Sequence, residues 1–456
     1  MTTDLTTGNT RKLLWAFSIP MLISVAFQQM YNITDSVIAG RFIGEDALAA
    51  VGASYPITMI FMAIAVGSSA GCSVVISRLF GARLYVHLKC AVSTILITCI
   101  VMSILLTLFG VWRGEAMMRM LQTPSNIFAD GSLYLTVYIY GFGFLFLYNV
   151  CNGIFTALGD SRTPLYFLIA SSVGNVILDL VFVLVFDMGV AGVAWATFTA
   201  QGISSLLALG AMLLRLKQMP STKHFPLFSF HLLGQISVIA IPSILQQSFV
   251  SVGNLFIQSL VNSFGSAVIA GYSSAIKLNT FAITCMTTLS NGLSSFTAQN
   301  IGAHKEDRIA EGWKESIRMG VFVCLPFVLI YLVLGRMAVG LFLDSVSATA
   351  IQTGVTFLKI VAPFYFVVMI KTMCDGVLRG TSSIAYFTTT TFTDLVLRVV
   401  LAYFFVKVLS MDATGIWLSW PIGWTLSSAL SAWFYHIRPW RVHGPKPKRR
   451  LLSKNS

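Results

Sequence analysis

Apolar residues run along this chain in long unbroken blocks, and polar residues collect between them. Residues 13–34, 47–77, 90–112, 131–159, 188–214 and 413–437 contain no Asp, Glu, Lys or Arg. Each block reaches the roughly 20 residues that a helix needs to cross a bilayer. The blocks show no two-residue alternation, and Gly and Pro interrupt them, which favours helices over a membrane barrel. Twelve spans are expected, centred near 25, 62, 101, 145, 175, 202, 249, 284, 327, 365, 396 and 425. The first carries Pro20 and Asp35 and lacks a small-residue cleavage site, so it reads as a retained helix and not a signal peptide.

Composition strengthens this reading. Of 456 residues, 56% are hydrophobic and 10% charged. A soluble protein carries about 25% charged residues, so much of this apolar surface must face lipid. The chain is expected to be an all-α membrane protein.

The net charge of +13 could suggest nucleic acid, but its distribution points elsewhere. With the N-terminus placed inside, twenty-one of the 30 Lys and Arg fall in the cytoplasmic segments and five in the outer loops. Such a bias orients membrane proteins. Both termini are then cytoplasmic, in a plasma (inner) membrane, and the short loops suggest a bacterium. The basic tail "HGPKPKRRLLSKNS" faces lipid headgroups in this reading. The seven cysteines are scattered without a CxxC pair, which suits packing better than a metal or disulfide framework.

The chain also repeats itself. Pro20 matches Pro242, and "SAGCSVVISRLFGAR" at 69–83 matches "SNGLSSFTAQNIGAH" at 290–304. Further on, "CNGIFTALG" at 151 meets "CDGVLRG" at 374, and "GVAWAT" at 192 resembles "GIWLSW" at 415. Ordered matches at offsets of 221–223 indicate internal duplication. Six spans per half is an even number, so both halves enter from the same side. The expected fold is two six-helix bundles related by a pseudo-twofold axis along the membrane normal. The bounds are 1–215 for the N-terminal bundle, 216–234 for a cytoplasmic linker, 235–437 for the C-terminal bundle and 438–456 for the tail. A duplicated single chain suits a monomeric carrier with a midplane cleft.

No P-loop or HExxH motif is present, no GxSxG or clustered-histidine constellation suggests catalysis in the membrane, and the six histidines lie at loops and ends. Neither an enzyme nor a nucleotide-driven pump is expected, no cofactor is required, and an ion gradient is the expected energy source. The ionisable residues within spans are therefore the candidates for chemistry, because a charge at the bilayer centre costs about 2.5–3.5 kcal/mol on insertion scales. Asp394 and Arg398, four apart, can pair. Lys359 and Asp375 lie nearer span ends, and Lys277 and Lys371 are candidates for the central cavity. Asp35 and Asp179 have no Lys or Arg three or four residues away. Asn175 stands four before Asp179 on the same face, and Thr197 lies on the next helix. Two carboxylates, an amide and a hydroxyl in low dielectric can carry a proton or replace the hydration shell of Na⁺.

These residues carry a resemblance. The stretches "IPMLISVAFQQMYNITDSVIAGRFIGEDALAAVG", "SRLFGAR"/"AQNIGAH", "ALGDSRTP" and "GNVILDLVFVLVFDMGVAGVAWAT" resemble the MATE family (multidrug and toxic compound extrusion) of the MOP flippase superfamily. The likeness covers nearly the whole chain. It implies a twelve-helix V-shaped antiporter that exports amphiphilic, often cationic compounds in exchange for H⁺ or Na⁺. It also implies a cation or proton site at Asp35, Asn175, Asp179 and Thr197. The seventh helix carries no acid, unlike the NorM-like branch, so the chain looks closer to branches coupled through the first half. Gln28, Gln29, Tyr31, Met59, Gln246, Gln247, Lys277 and Met286 are candidates for the substrate cavity. A lipid-linked oligosaccharide flippase of the same superfamily is the alternative. The expected partners are the substrates, the coupling cation and membrane lipids, with no nucleic acid.

Overall fold

The computed structural model describes residues 3–38, 45–121, 123–220, 226–342 and 348–438, with backbone alone at 32, 33, 35–38 and 45–48. The basic tail beyond Arg438 lies outside the described residues. Every regular element among them is helical. The first half comprises α1 (Thr10–Ile38), α2 (Glu45–Gly81), α3 (Tyr85–Met120), α4 (Ser125–Ala157), α5 (Arg162–Leu180) and α6 (Gly189–Gln218). The second comprises α7 (Phe230–Asn262), α8 (Ser266–Gly302), α9 (Asp307–Val333), α11 (Ala348–Val361) joined through a 3₁₀ turn to α12 (Tyr365–Gly380), α13 (Ile384–Tyr403) and α14 (Ala413–Ile437). A short α10 (Gly335–Gly340) sits between α9 and α11. Counting α11–α12 as one rod, each half has six long helical units, as the apolar blocks predict.

Nine helices among the described residues are long and apolar enough to span a membrane on those grounds alone. The remaining three units, α8, α13 and α14, carry polar or indole side chains that pack against protein. In α8 the polar side chains Asn279, Ser290, Ser294, Gln299 and Asn300 are all buried against protein. In α13 an ion pair turns inward, and α14 buries Trp417, Trp420, Trp424, Ser427 and Ser431. A helix that faces protein needs no lipid-like surface.

The duplication is visible in the backbone. A π-helical turn follows α5 at Val181–Val185, and another follows α13 at Phe404–Val408. Left-handed residues recur at Arg83 and His304 and again at Asp187 and Ser410. The Ser69 hydroxyl donates to the Asn149 carbonyl (2.7 Å), and its counterpart Ser290 donates to the Thr372 carbonyl (2.6 Å).

The halves meet through α2, which packs on α7 and α8, and through α1, which packs on α8 and α9. Near the axis Ser73 and Ser295 hydroxyls lie 3.2 Å apart. At the ends of α2 and α8 the backbones cross so closely that only glycine fits: Gly81 rests on the backbone of Gln299, and Gly302 rests on that of Arg78. The two contacts are the same contact seen from either repeat. The first-half core also takes in Ile236, Ile239 and Ala240 of α7, and the second-half core takes in Leu5, Leu14 and Phe17. The segment before α1 is sewn into this seam. Leu5 is fully buried, its N–H donates to Gln299 Oε1 (3.0 Å), and Asn300 Nδ2 donates back to its carbonyl (3.3 Å). Lys305 Nζ donates to the Thr6 carbonyl (2.8 Å), and Gln299 Nε2 donates to the Ala157 carbonyl (2.8 Å).

Candidate functional site

The polar cluster in the first half is built by three helices. One turn separates Asn175 from Asp179 on α5, so both side chains leave the same face. Both are buried, Asp179 completely and Asn175 to within 2%. α6 packs alongside α5, and α1 packs on its other side. The Asn175 amide is assigned from its neighbours, nitrogen toward the acceptors and oxygen toward the donor. So assigned, its nitrogen donates to Asp179 Oδ2 (3.2 Å) and to the Tyr31 hydroxyl (3.0 Å), and its oxygen accepts from the Thr197 backbone N–H (3.1 Å). One amide thus ties α1, α5 and α6 together around a buried carboxylate. The π turn that begins two residues after Asp179 alters the helix where the site ends, and such turns recur at functional sites.

The structure brings Asn175, Asp179 and the backbone of Thr197 together. Thr197 contributes its backbone N–H to the bond with Asn175, while its side chain lines a small cavity of about 40 Å³ between α4 and α6. Tyr134, Tyr138, Phe198 and Gln201 line the same cavity. That volume exceeds the ~10–15 Å³ that one water needs, and hydroxyls and an amide supply polar partners. Asp35 belongs to the backbone of α1, one turn past Tyr31, but its side chain lies outside the described residues.

The donor set also bears on the bound cation. Na⁺ needs oxygen ligands. Here the Asn175 oxygen is engaged by Thr197 N–H and its NH₂ faces the carboxylate. Asp179 can take up a proton, and its oxygens together with an amide oxygen turned toward them can hold Na⁺.

The candidates for a substrate cavity fall in different surroundings. Gln28, Gln247 and Lys277 are exposed, and Gln29, Met59 and Gln246 are partly exposed. Lys277 Nζ lies 5.6 Å from the Phe342 ring. Tyr31 joins the Asn175 cluster, and Met286 is fully buried in the second-half core, away from any exposed wall. Tyr31 stands four before Asp35 on α1, a spacing that could have assigned it to the acid cluster.

The second half holds its own buried charges. Lys371 Nζ lies 2.7 Å from Asp375 Oδ2, with both side chains less than one-tenth exposed. Asp375 also accepts from Thr390 Oγ1 (2.8 Å) and from the Ser431 hydroxyl, joining α12, α13 and α14. Lys371 is thus a buried ion-pair partner and not a cavity wall; its spacing of four from Asp375 was the available signal. Arg398 and Asp394 pair along α13 at 3.5 Å, as their spacing predicts.

Comparison with known proteins agrees with this architecture. The MatE family model matches residues 20–181 and again 242–404, one copy in each half. The chain belongs to the MatE family. It is similar to the probable multidrug resistance protein YpnP of Bacillus subtilis (strain 168), with 28% identity over 96% of this chain and 98% of that protein. It is also similar to an FAD transporter of Shewanella oneidensis, with 25% identity over 70% of each chain. A solved structure of a MOP superfamily transporter from Pyrococcus furiosus superposes with a TM-score of 0.90 at 23% identity, covering 96% of this chain and 98% of that one. That likeness is one of fold.

Proposed function

We propose that this chain is a secondary active exporter of amphiphilic, mainly cationic organic compounds, driven by protons entering from outside. The observation that carries the reading is the fully buried Asp179, held by an amide that also grips α1 and α6. A buried carboxylate is costly when charged and cheap when protonated. Protonation removes the charge that Asn175 satisfies, so the bond tying three helices weakens and the first bundle repacks. Substrate affinity then falls while the cleft faces outward. A coupling of ~1–3 kcal/mol between the two sites changes affinity about 5–150-fold, enough for alternating occupancy.

Asp35, one turn beyond Tyr31, is the natural second acid of the pair. Gln28, Gln247 and Met59 supply the polar and adaptable surface that polyspecific binding needs. The named multidrug resistance relative supports the substrate class. The positive-inside charge count supports cytoplasmic termini in a bacterial plasma membrane. In that orientation the Gly81–Gly302 seam closes the cytoplasmic side. A second reading, export of an anionic dinucleotide, is favoured by the FAD transporter relative and by the exposed Lys277.

The test is efflux from proteoliposomes under an imposed pH gradient and, separately, an imposed Na⁺ gradient, with a fluorescent cationic dye and with FAD as cargo. Dye efflux driven by the pH gradient and abolished in Asp179→Asn is the expected result. Gradient-driven efflux that survives in the folded variant overturns the role of Asp179. Efflux driven by Na⁺ alone overturns the choice of ion.

A further inference from the structure

The two halves differ at the first half's polar cluster. Structure fixes the register there. The π turns begin at Val181 and Phe404, and the left-handed residues are Asp187 and Ser410. The hydrogen bonds Met188 N to Phe182 O and Met411 N to Phe405 O, both 3.0 Å, close the same turn in each half. All of these stand 223 residues apart. In that register Asn175 corresponds to Arg398, Thr197 to Trp420 and Asp179 to Ala402. The equivalent pairs also meet: Asn175 touches Thr197, and the Arg398 guanidinium lies 4.3 Å from the Trp420 ring centroid. Where the first half has a buried carboxylate beside an amide, the second has a fully buried Ala402 and a guanidinium.

We propose that Arg398 is a resident cation. It fills, in the second half, the place that an exchangeable cation takes in the first, and so leaves the molecule with one exchangeable cation site instead of two. The inference rests on Asp179 being the site of exchange in the first half. A guanidinium stays protonated at any physiological pH and cannot leave its own chain. It sits on the face of an indole, which attracts cations, and Asp394 one turn earlier supplies the counter-charge. The surrounding elements leave that balance intact. α12 adds Lys371 and Asp375, paired with each other, and Arg379 in its last turn, which donates to Ser294 and Asn291 of α8. α8 adds the Tyr272 ring, stacked on Trp417 at 5.0 Å. α7 and α14 carry no Asp, Glu, Lys or Arg. Arg398 Nε, Asp394 Oδ1 and Trp420 Nε1 are buried and make no hydrogen bond. The arrangement is therefore held by charge and ring contact more than by a saturated hydrogen-bond set. Asp394 would accept another cation once the guanidinium was gone.

The experiment counts exchangeable cations in purified protein in nanodiscs. Infrared titration reads buried carboxyl protonation, and ²²Na⁺ binding reads sodium. Asp394→Asn, with Arg398 intact, is expected to leave both counts at the native value. Arg398→Met is expected to gain one exchangeable cation, lost again when Asp394→Asn is added, and Arg398→Lys is expected to match the native chain. Loss of a cation in Asp394→Asn overturns the proposal, and so does absence of a gain in folded Arg398→Met. Should Arg398→Met fail to fold, the Asp394→Asn comparison still decides. Asp179→Asn in the same assay tests the first-half site separately: an unchanged count there sinks that reading and with it the equivalence of Arg398 to a first-half cation, whereas a lost cation there with no gain in Arg398→Met overturns the Arg398 proposal alone.

Discussion

Replacing Gly81 with alanine is expected to unfasten the seam between the halves. The added Cβ would overlap the carbonyl oxygen of Gln299 and lie 2.7 Å from its carbonyl carbon and 2.8 Å from its Cα. Carbon atoms in good contact sit ~3.5–4.0 Å apart, so the backbones must part by about 1 Å. The obstacle is main chain, which cannot swing aside as a side chain can. Overpacking of this kind costs ~1–3 kcal/mol. The gain from placing alanine in a helix, at most ~1 kcal/mol, offsets only part of it. Because the strain vanishes when α2 and α8 separate, the substitution should shift the population toward forms open at that end. A bias of ~1–3 kcal/mol corresponds to about 5–150-fold. Spin labels at exposed Leu84 and Glu306, read by pulsed EPR in nanodiscs, report the opening, and the buried native cysteines should stay unlabelled. Gly52→Ala on the same helix is the control, since its Cβ would meet nothing within 4 Å. An unchanged distance distribution and melting midpoint in Gly81→Ala, or an equal shift in Gly52→Ala, would refute the reasoning.

Other expectations follow from single contacts. Lys371→Met strands a buried Asp375 and should cost ~3–5 kcal/mol in thermal unfolding, and Asp375→Asn added to it should recover most of the loss; a silent single variant would contradict the burial argument. Gln299→Ala leaves the Leu5 N–H buried without a partner, at ~1–3 kcal/mol, and the Ala157 carbonyl with only the 3.4 Å bond from the Ser77 hydroxyl, and should accelerate hydrogen exchange at the Leu5 amide. Thr197→Val keeps the backbone N–H that holds Asn175, so efflux under a pH gradient should stay close to native. Loss of efflux in that variant would make the hydroxyl a cation ligand.

The fold was legible because lipid imposes long apolar blocks and because the duplication doubles every signal. The Asn175–Asp179–Thr197 convergence was legible for a narrower reason: a spacing of four marks one helix face, and an acid without a local cation needs a nearby partner. Tyr31 was harder to assign. An aromatic in a greasy helix suits a cleft wall as well as a hydrogen-bond donor or acceptor, and only packing decides. Lys371 and Asp375 carried the right spacing, but spacing does not reveal burial, and a lysine near a helix end can equally reach solvent. α8 gave little sign of its central position, because a helix surrounded by protein loses the hydropathy that marks its neighbours. Contacts between the first residues and Gln299 left no trace in local periodicity at all.

Those last contacts bear on how the molecule is made. Leu5 leaves the ribosome 294 residues ahead of its partner Gln299. At about 5–20 residues per second, that interval is roughly 15–60 s. Through it the opening segment has only its first-half contacts, Gly159 against the Thr3 backbone and Arg83 beside Asp4 (3.8 Å), and the first helix has α5 but neither α8 nor α9. The seam cannot close until most of the second bundle exists. Truncations that end before α8 should therefore leave the first residues open to quality-control proteases, however well the first bundle itself has assembled.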